Sequence, residues 1–151
     1  MKITIEITAN DKKDIKDAIK HDPRKAVNEL NKAITKILYQ VQRDAMREAP
    51  VNKQSGGGNL RQSIRARMES NLVGLVEVGA QYALYVHEGT APHIITAVRA
   101  KALYNSKTGQ FFGKKVNHPG TVANPFLKRA VDMNNDFASK TFREAVANIF
   151  K

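Results

Sequence analysis

The sequence predicts an α+β fold in which two long helices pack on an antiparallel sheet of about four strands, with flexible loops between them. Three observations predict it. One stripe of apolar residues at helical spacing runs from Val27 to Ala45, and a second runs from Phe126 to Phe150. Between and before them lie short segments in which apolar and polar residues alternate. At 151 residues the chain reads as a single domain, 1–151, large enough to bury a core.

Ile3, Ile5, Ile7 and Ala9 alternate with Lys2, Thr4, Glu6 and Thr8, the pattern of a strand with one buried face. Asn10 or Asp11 can cap a short helix whose apolar side is Ile15, Ala18 and Ile19. Asp22-Pro23 then opens a long helix, the aspartate supplying an N-cap oxygen and the proline sitting at the first helical position. Its stripe is Val27, Leu30, Ile34, Ile37, Leu38, Val41 and Ala45, and it stops before Pro50. From Pro23 to Glu48 such a helix is roughly 39 Å long at 1.5 Å per residue. Residues 51–59, with three consecutive glycines, form a flexible loop.

Leu60, Ile64, Ala66 and Met68 alternate with Arg61, Ser63, Arg65 and Arg67, predicting a strand that carries a row of arginines. Ser70-Asn71 turns the chain into a nearly all-apolar strand, 72–78, buried on both faces. Residues 82–87 make a short helical turn ended by Gly89, and 94–98 and 111–116 are further strands around a polar loop at 105–109. Asn124-Pro125 repeats the cap-then-proline signature. It opens a last helix whose stripe includes Phe126, Leu127, Ala130, Phe137, Thr141, Ala145, Ile149 and Phe150.

Lys and Arg number 25 against 14 Asp and Glu, so the chain carries +11 at neutral pH, which favours an anionic neighbour. The excess is local. Residues 49–68 hold 4 basic and no acidic side chains, and residues 89–131 hold 7 and none. The candidate contact residues for DNA or an acidic docking face are Lys53, Arg61, Arg65, Arg67, Lys107, Lys114 and Lys115. The plain alternative is a solvated strand face. No stretch approaches 18 apolar residues, and the alternating start is not a signal peptide, so a membrane partner is not expected. Without cysteine there is no disulfide and no thiolate metal site.

His87, Glu88, His93 and His118 have ligand chemistry but not ligand spacing, since adjacent residues diverge on a helix or strand and the two helical histidines of a zinc hydrolase stand four apart. No Gly-x-Ser-x-Gly elbow occurs, and the triple glycine lacks the Lys-Ser/Thr of a phosphate loop. Neither catalytic residues nor a cofactor or metal site is expected.

Several strings stand in a fixed order after the long helix: NLRQSI at 59–64, YALYVHEGT at 82–90, HPGT at 118–121 and NPFLKRA at 124–130. In that order, from about Ala26 to the C-terminus, the chain resembles the head–tail joining proteins of lambdoid long-tailed phages, the neck or tail-completion (minor tail) family. The residues that carry the likeness are Tyr82, Tyr85, Glu88, Gly89, Thr90, His118, Pro119, Gly120, Thr121, Pro125 and Phe126. The resemblance implies a structural virion or prophage protein, made in the host bacterial cytoplasm. Its copies would form a ring at the head–tail junction with phage connector and tail proteins as partners, and with non-specific DNA contact. In the resembled family the Gly-Thr turns shape the sheet. The triple glycine and the His87 before Glu-Gly-Thr depart from the commoner pattern and leave neck or tail-terminator subgroup open. The rival reading is a basic nucleic-acid-binding or nuclease-like module, with Arg61, Arg65, Arg67, Lys114 and Lys115 on phosphates.

Overall fold

A computed structural model describes residues 2–5, 12–51, 57–105 and 108–151. It is α+β, and its contacts group the chain into two compact units, 1–83 with 126–151, and 84–125.

The first unit is built around one helix. α1 (Lys12–His21) is followed by α2 (Pro23–Glu48), which starts where the Asp22-Pro23 signature places it. Asp22 is extended at φ −145°, its Oδ1 accepts from the Lys25 backbone N–H at 3.0 Å, and Pro23 opens the first turn. Ala26, Leu30, Ala33, Ile34, Ile37, Leu38, Val41 and Ala45 are buried along α2. Twenty-six residues are long for a domain of this size, and the helix holds its length because both flanks are covered, by a sheet and by the C-terminal helices.

That sheet has three antiparallel strands in the order β1 (Lys2–Ile5), β3 (Val73–Val78), β2 (Ile64–Ser70). The strand expected at 2–9 is seen from Lys2 to Ile5, and Glu6 to Asp11, with the cap expected at Asn10 or Asp11, lie outside the described residues. Gly74, Val76 and Val78 lie on one face of β3 and are buried, and Leu75 on the opposite face is buried too. Central β3 therefore buries apolar residues on both faces, with Glu77 half-buried near its end. At Gly74 the helix and strand approach so closely that a methyl group would overlap the Leu38 side chain.

The β2–β3 turn falls on Asn71 and Leu72, one residue later than Ser70-Asn71, because the register shifts between Met68 and Ser70. Leu72 adopts φ 63°, a backbone region that disfavours side chains. Asn31 of α2 offsets this: its Oδ1 accepts the Leu72 N–H at 2.8 Å, and its Nδ2 donates to Asn71 Oδ1 at 3.3 Å. The Leu72 side chain packs on the cluster of Ala18, Ala26, Leu30, Ala33, Ala145 and Ile149. Asn31→Ala leaves a turn N–H without its acceptor and is expected to lower stability by about 1–2 kcal/mol in urea unfolding. An unchanged midpoint would refute this.

Two sequence expectations are corrected here. The strand expected from Leu60 begins only at Ile64, and Asn59–Gln62 is a helical turn, α3. Its hydrogen bonds explain why: Gln62 and Ser63 N–H groups return to Gly58 and Asn59 carbonyls, and Ser63 Oγ to that of Leu60. The last helix is also two, α5 (Phe126–Met133) and α6 (Asn135–Ile149), parted at Asn134. The buried Asn134 amide donates to Ala130 O at 2.8 Å and to Asp44 Oδ2 of α2 at 2.9 Å, so the break is fixed by a side chain. Asp44 is held below its ordinary carboxyl value by that bond first, against the opposing effect of burial, with Gln40 and nearby Arg47 and Arg43 helping. Arg129 adds a 2.7 Å ion pair to Glu48. Phe126, Leu127, Ala130, Thr141, Ala145 and Ile149 are buried, whereas Phe150 is half exposed with its ring 5.2 Å from His21.

Candidate assembly surface

The second unit, 84–125, contains most of α4 (Ala83–Glu88) and two antiparallel ribbons, β4 (His93–Thr96) with β7 (Lys115–His118), and β5 (Leu103–Asn105) with β6 (Gln110–Phe112). The single four-stranded sheet expected from sequence is thus a three-stranded sheet plus two two-stranded ribbons. Gly113 interrupts the strand expected at 111–116, and Leu103–Asn105 supplies a short strand the alternation was too brief to reveal.

The two Gly-Thr strings meet. Thr90 and Thr121 exchange both backbone hydrogen bonds at 3.0 Å, and their hydroxyls stand 2.7 Å apart. Each preceding glycine is in the left-handed region, Gly89 at φ 74° and Gly120 at φ 86°. A methyl on Gly89 would lie 2.5 Å from Thr121 O, and one on Gly120 would overlap Thr90 O. Both positions therefore need glycine twice over, for conformation and for space. The Asn124 N–H, donating to Val86 O at 3.0 Å, ties the returning chain to α4. The two strings form one clasp that closes the base of the β4–β7 ribbon.

Immediately above the clasp, His93 and His118 are cross-strand partners with ring centroids 4.9 Å apart. Their spacing in sequence gave no sign of this juxtaposition, yet their hydrogen bonds do not suit a metal pair. His93 Nδ1 lies 2.9 Å from Ala91 O and must donate, whereas His118 Nδ1 accepts the Gly120 N–H at 3.1 Å. A neutral His118 then carries its proton on Nε2, the atom a metal would need. His87 is buried, with Nδ1 2.6 Å from Glu88 Oε1. Among the described residues no group of three or more His, Asp or Glu is placed to hold a metal ion.

Among the described residues of 84–125, His87 alone is buried. Large apolar side chains face outward instead: Ile94 is 63% exposed, Phe111 73% and Val98 92%, with Leu84, Tyr85, Tyr104 and Val122 also exposed. Tyr104 and Phe111 pair across β5–β6 at 4.7 Å, which shields one ring face and leaves the rest in water. Arg99, Lys101, Lys114 and Lys115 are exposed on the same unit.

The sequence-predicted basic residues do not share one surface. Lys53 and Lys107 lie outside the described residues, as does 52–56 of the loop expected at 51–59. Arg61 is not on the β2 strand: its Nη2 reaches the carbonyls of Arg47 and Ala49 at 3.4 and 3.3 Å and closes the end of α2. Arg67 is held by Glu77 on β3, at 3.0 Å, and that carboxylate raises its pKa further above the ordinary arginine value. Arg65, Lys114 and Lys115 remain exposed. Of the other motif residues, Tyr82, Tyr85 and Glu88 are exposed, Pro119 follows the ribbon, and Pro125 precedes fully buried Phe126. The sequence missed the exposed apolar set of Ile94, Tyr104 and Phe111, although 89–131 without an acid pointed to the same segment.

A family model described as "HK97-gp10_like: Bacteriophage HK97-gp10, putative tail-component" matches residues 11–89, just over half of the chain. The match takes in NLRQSI and the string at 82–90 up to Gly89, and stops short of HPGT and NPFLKRA. No curated protein and no solved structure matches the chain.

Proposed function

The chain belongs to the HK97 gp10-like family of putative bacteriophage tail components, and from that premise we propose that it is a structural virion protein whose copies form a ring at the head–tail junction. In this reading it joins tail to DNA-filled head and catalyses nothing. The observation that carries the reading is the 84–125 unit. A two-stranded ribbon is at best marginal alone in water, and the two ribbons of this unit expose Ile94, Tyr104 and Phe111, with four described cations also exposed on the unit. A neighbouring copy, presenting a different face as ring closure requires, would cover the apolar side chains. The cations would then meet DNA in the lumen or an acidic face on connector and tail proteins. No helix of the described residues is long and apolar enough to cross a membrane.

Two substitutions sets test it in phage complementation. Ile94→Ser with Phe111→Ser changes exposed positions and is expected to leave far-ultraviolet circular dichroism unaltered. It should cut infectious titre by orders of magnitude, with heads and tails accumulating unjoined. Lys114→Gln with Lys115→Gln, also exposed, separates docking from lumen roles: unjoined parts mean docking, and joined particles that lose DNA mean a lumen contact. Normal titre from the apolar pair would overturn the reading, and tight duplex binding by the free chain with a steep salt slope would favour the rival nucleic-acid module.

A further inference from the structure

α2 carries a second stripe outside its buried core stripe. Tyr39, Gln42, Arg43, Met46 and Arg47 recur at three- and four-residue spacing and, with Arg61, line a groove of about 370 Å³. Its walls are mainly apolar. Tyr39 is 60% exposed there, an unusual position for an aromatic ring on a helix whose core stripe is complete without it.

The charge at this groove is concentrated and weakly committed. Arg47 is largely exposed, with one 3.4 Å contact to Asp44, itself bound by Asn134 and Gln40. Arg43 donates to the neutral Gln40 amide oxygen. Arg61 holds two carbonyls at 3.3 and 3.4 Å, both long, and its Nε–H is buried with no acceptor among the described residues. Arg43, Arg47 and Arg61 thus line one groove beside a tyrosine ring and a thioether, and the Asp44 carboxylate that touches Arg47 is shared with Asn134 and Gln40.

We propose that this groove binds an acidic segment of a partner protein that also carries an apolar or aromatic anchor. Planar guanidinium groups take carboxylates bidentately, which accounts for the arginines. The anchor accounts for Tyr39 and Met46, since aromatic and thioether surfaces make adaptable apolar walls. Duplex DNA would use the cations but leave those walls against water, because phosphate contacts bury no apolar surface. The proposal stands on the groove alone and holds whether or not copies of the chain form a ring.

The test uses the full-length chain and fluorescein-labelled peptides EELFEE, QQLFQQ and EEGGEE in fluorescence anisotropy, with a short DNA duplex as competitor. EELFEE should bind, and both other peptides should bind at least about tenfold more weakly, since each lacks one of the two required features. Arg43→Gln with Arg47→Gln should weaken EELFEE by about tenfold or more, and Tyr39→Ser should weaken it while sparing the small contribution of EEGGEE. Lys16→Gln with Lys20→Gln, exposed on α1 and not among the residues lining the groove, should change nothing. If the glutamine pair lowers the melting temperature, Arg43→Lys with Arg47→Lys replaces it and should still weaken binding through loss of the planar fork. Equal binding by wild type and the arginine variants, equal binding of QQLFQQ, or displacement by duplex DNA as readily as by unlabelled EELFEE would each overturn the proposal.

Discussion

Gly89→Ala combined with Gly120→Ala is expected to abolish the order of the 84–125 ribbon while the α2 core stays folded. Each alanine would sit at a positive φ, which costs a non-glycine residue about 1–2 kcal/mol. Each would also drive a methyl into backbone of the opposite turn, at Thr121 O and Ala123 N for Gly89 and at Thr90 O for Gly120. Backbone cannot swing away as a flexible side chain can. Relief therefore requires breaking the Thr90–Thr121 bridge, its two 3.0 Å hydrogen bonds and the contact between their hydroxyls. The ribbon above the clasp has no buried side chain among its described residues with which to resist, so local opening is the low-cost response. In hydrogen exchange, amides of β4 and β7 should lose protection in the double variant, while those around Ile37 exchange as in wild type. Gly113→Ala is the control, because a methyl there meets nothing within 4 Å. Unchanged protection in β4 and β7 would show that the clasp does not hold the ribbon. A collapse of protection around Ile37 would show that the ribbon and core unfold together.

The contrast between these two units also explains what the sequence could reveal. α2 was legible to its ends, because Asp22-Pro23 is a local capping signal and Pro50 a local stop, and neither depends on distant residues. Leu60 was misread because alternation over a few residues cannot distinguish a strand from a turn of helix, and the deciding bonds from Gln62 and Ser63 to Gly58 and Asn59 are local geometry without a hydrophobic period. Asn134 broke an unbroken apolar stripe by bonding to Asp44, ninety positions away in sequence, which no pattern on the helix itself could disclose. At the surface, the acid-free span 89–131 pointed to the right segment, but charge counting scattered. Arg61 turned to a helix end and Arg67 to Glu77, choices fixed by tertiary proximity. The groove at Tyr39 was hidden for the opposite reason: α2 carries mixed charge overall, and only the folded chain gathers Arg43, Arg47 and Arg61 beside Tyr39 and Met46, while Asp44 also binds Asn134 and Glu48 pairs with Arg129.

Gly74→Ala is expected to destabilise the whole first unit by about 2–3 kcal/mol, the upper part of the range for overpacking a filled core. The substitution is ordinarily harmless or helpful in a strand, since alanine restricts the unfolded chain more than glycine does. Here the added methyl would overlap Leu38 Cδ1 and stand 2.9 Å from Ile34 Cγ2 and from Leu38 Cγ. Leu38 is 2% exposed and Ile34 3%, so neither has open space to rotate into. The strand would have to withdraw from α2, and β3, as the central strand, carries β1 and β2 with it. A double-mutant cycle identifies the cause. Leu38→Ala alone should cost about 3 kcal/mol through the cavity it leaves. In the double variant the new methyl would occupy part of that cavity, so the combined loss should fall short of the sum by about 1 kcal/mol or more. Urea unfolding of the four proteins measures this directly. Additivity within about 0.5 kcal/mol would mean that Gly74 is required for backbone reasons and not for the close approach of helix and strand.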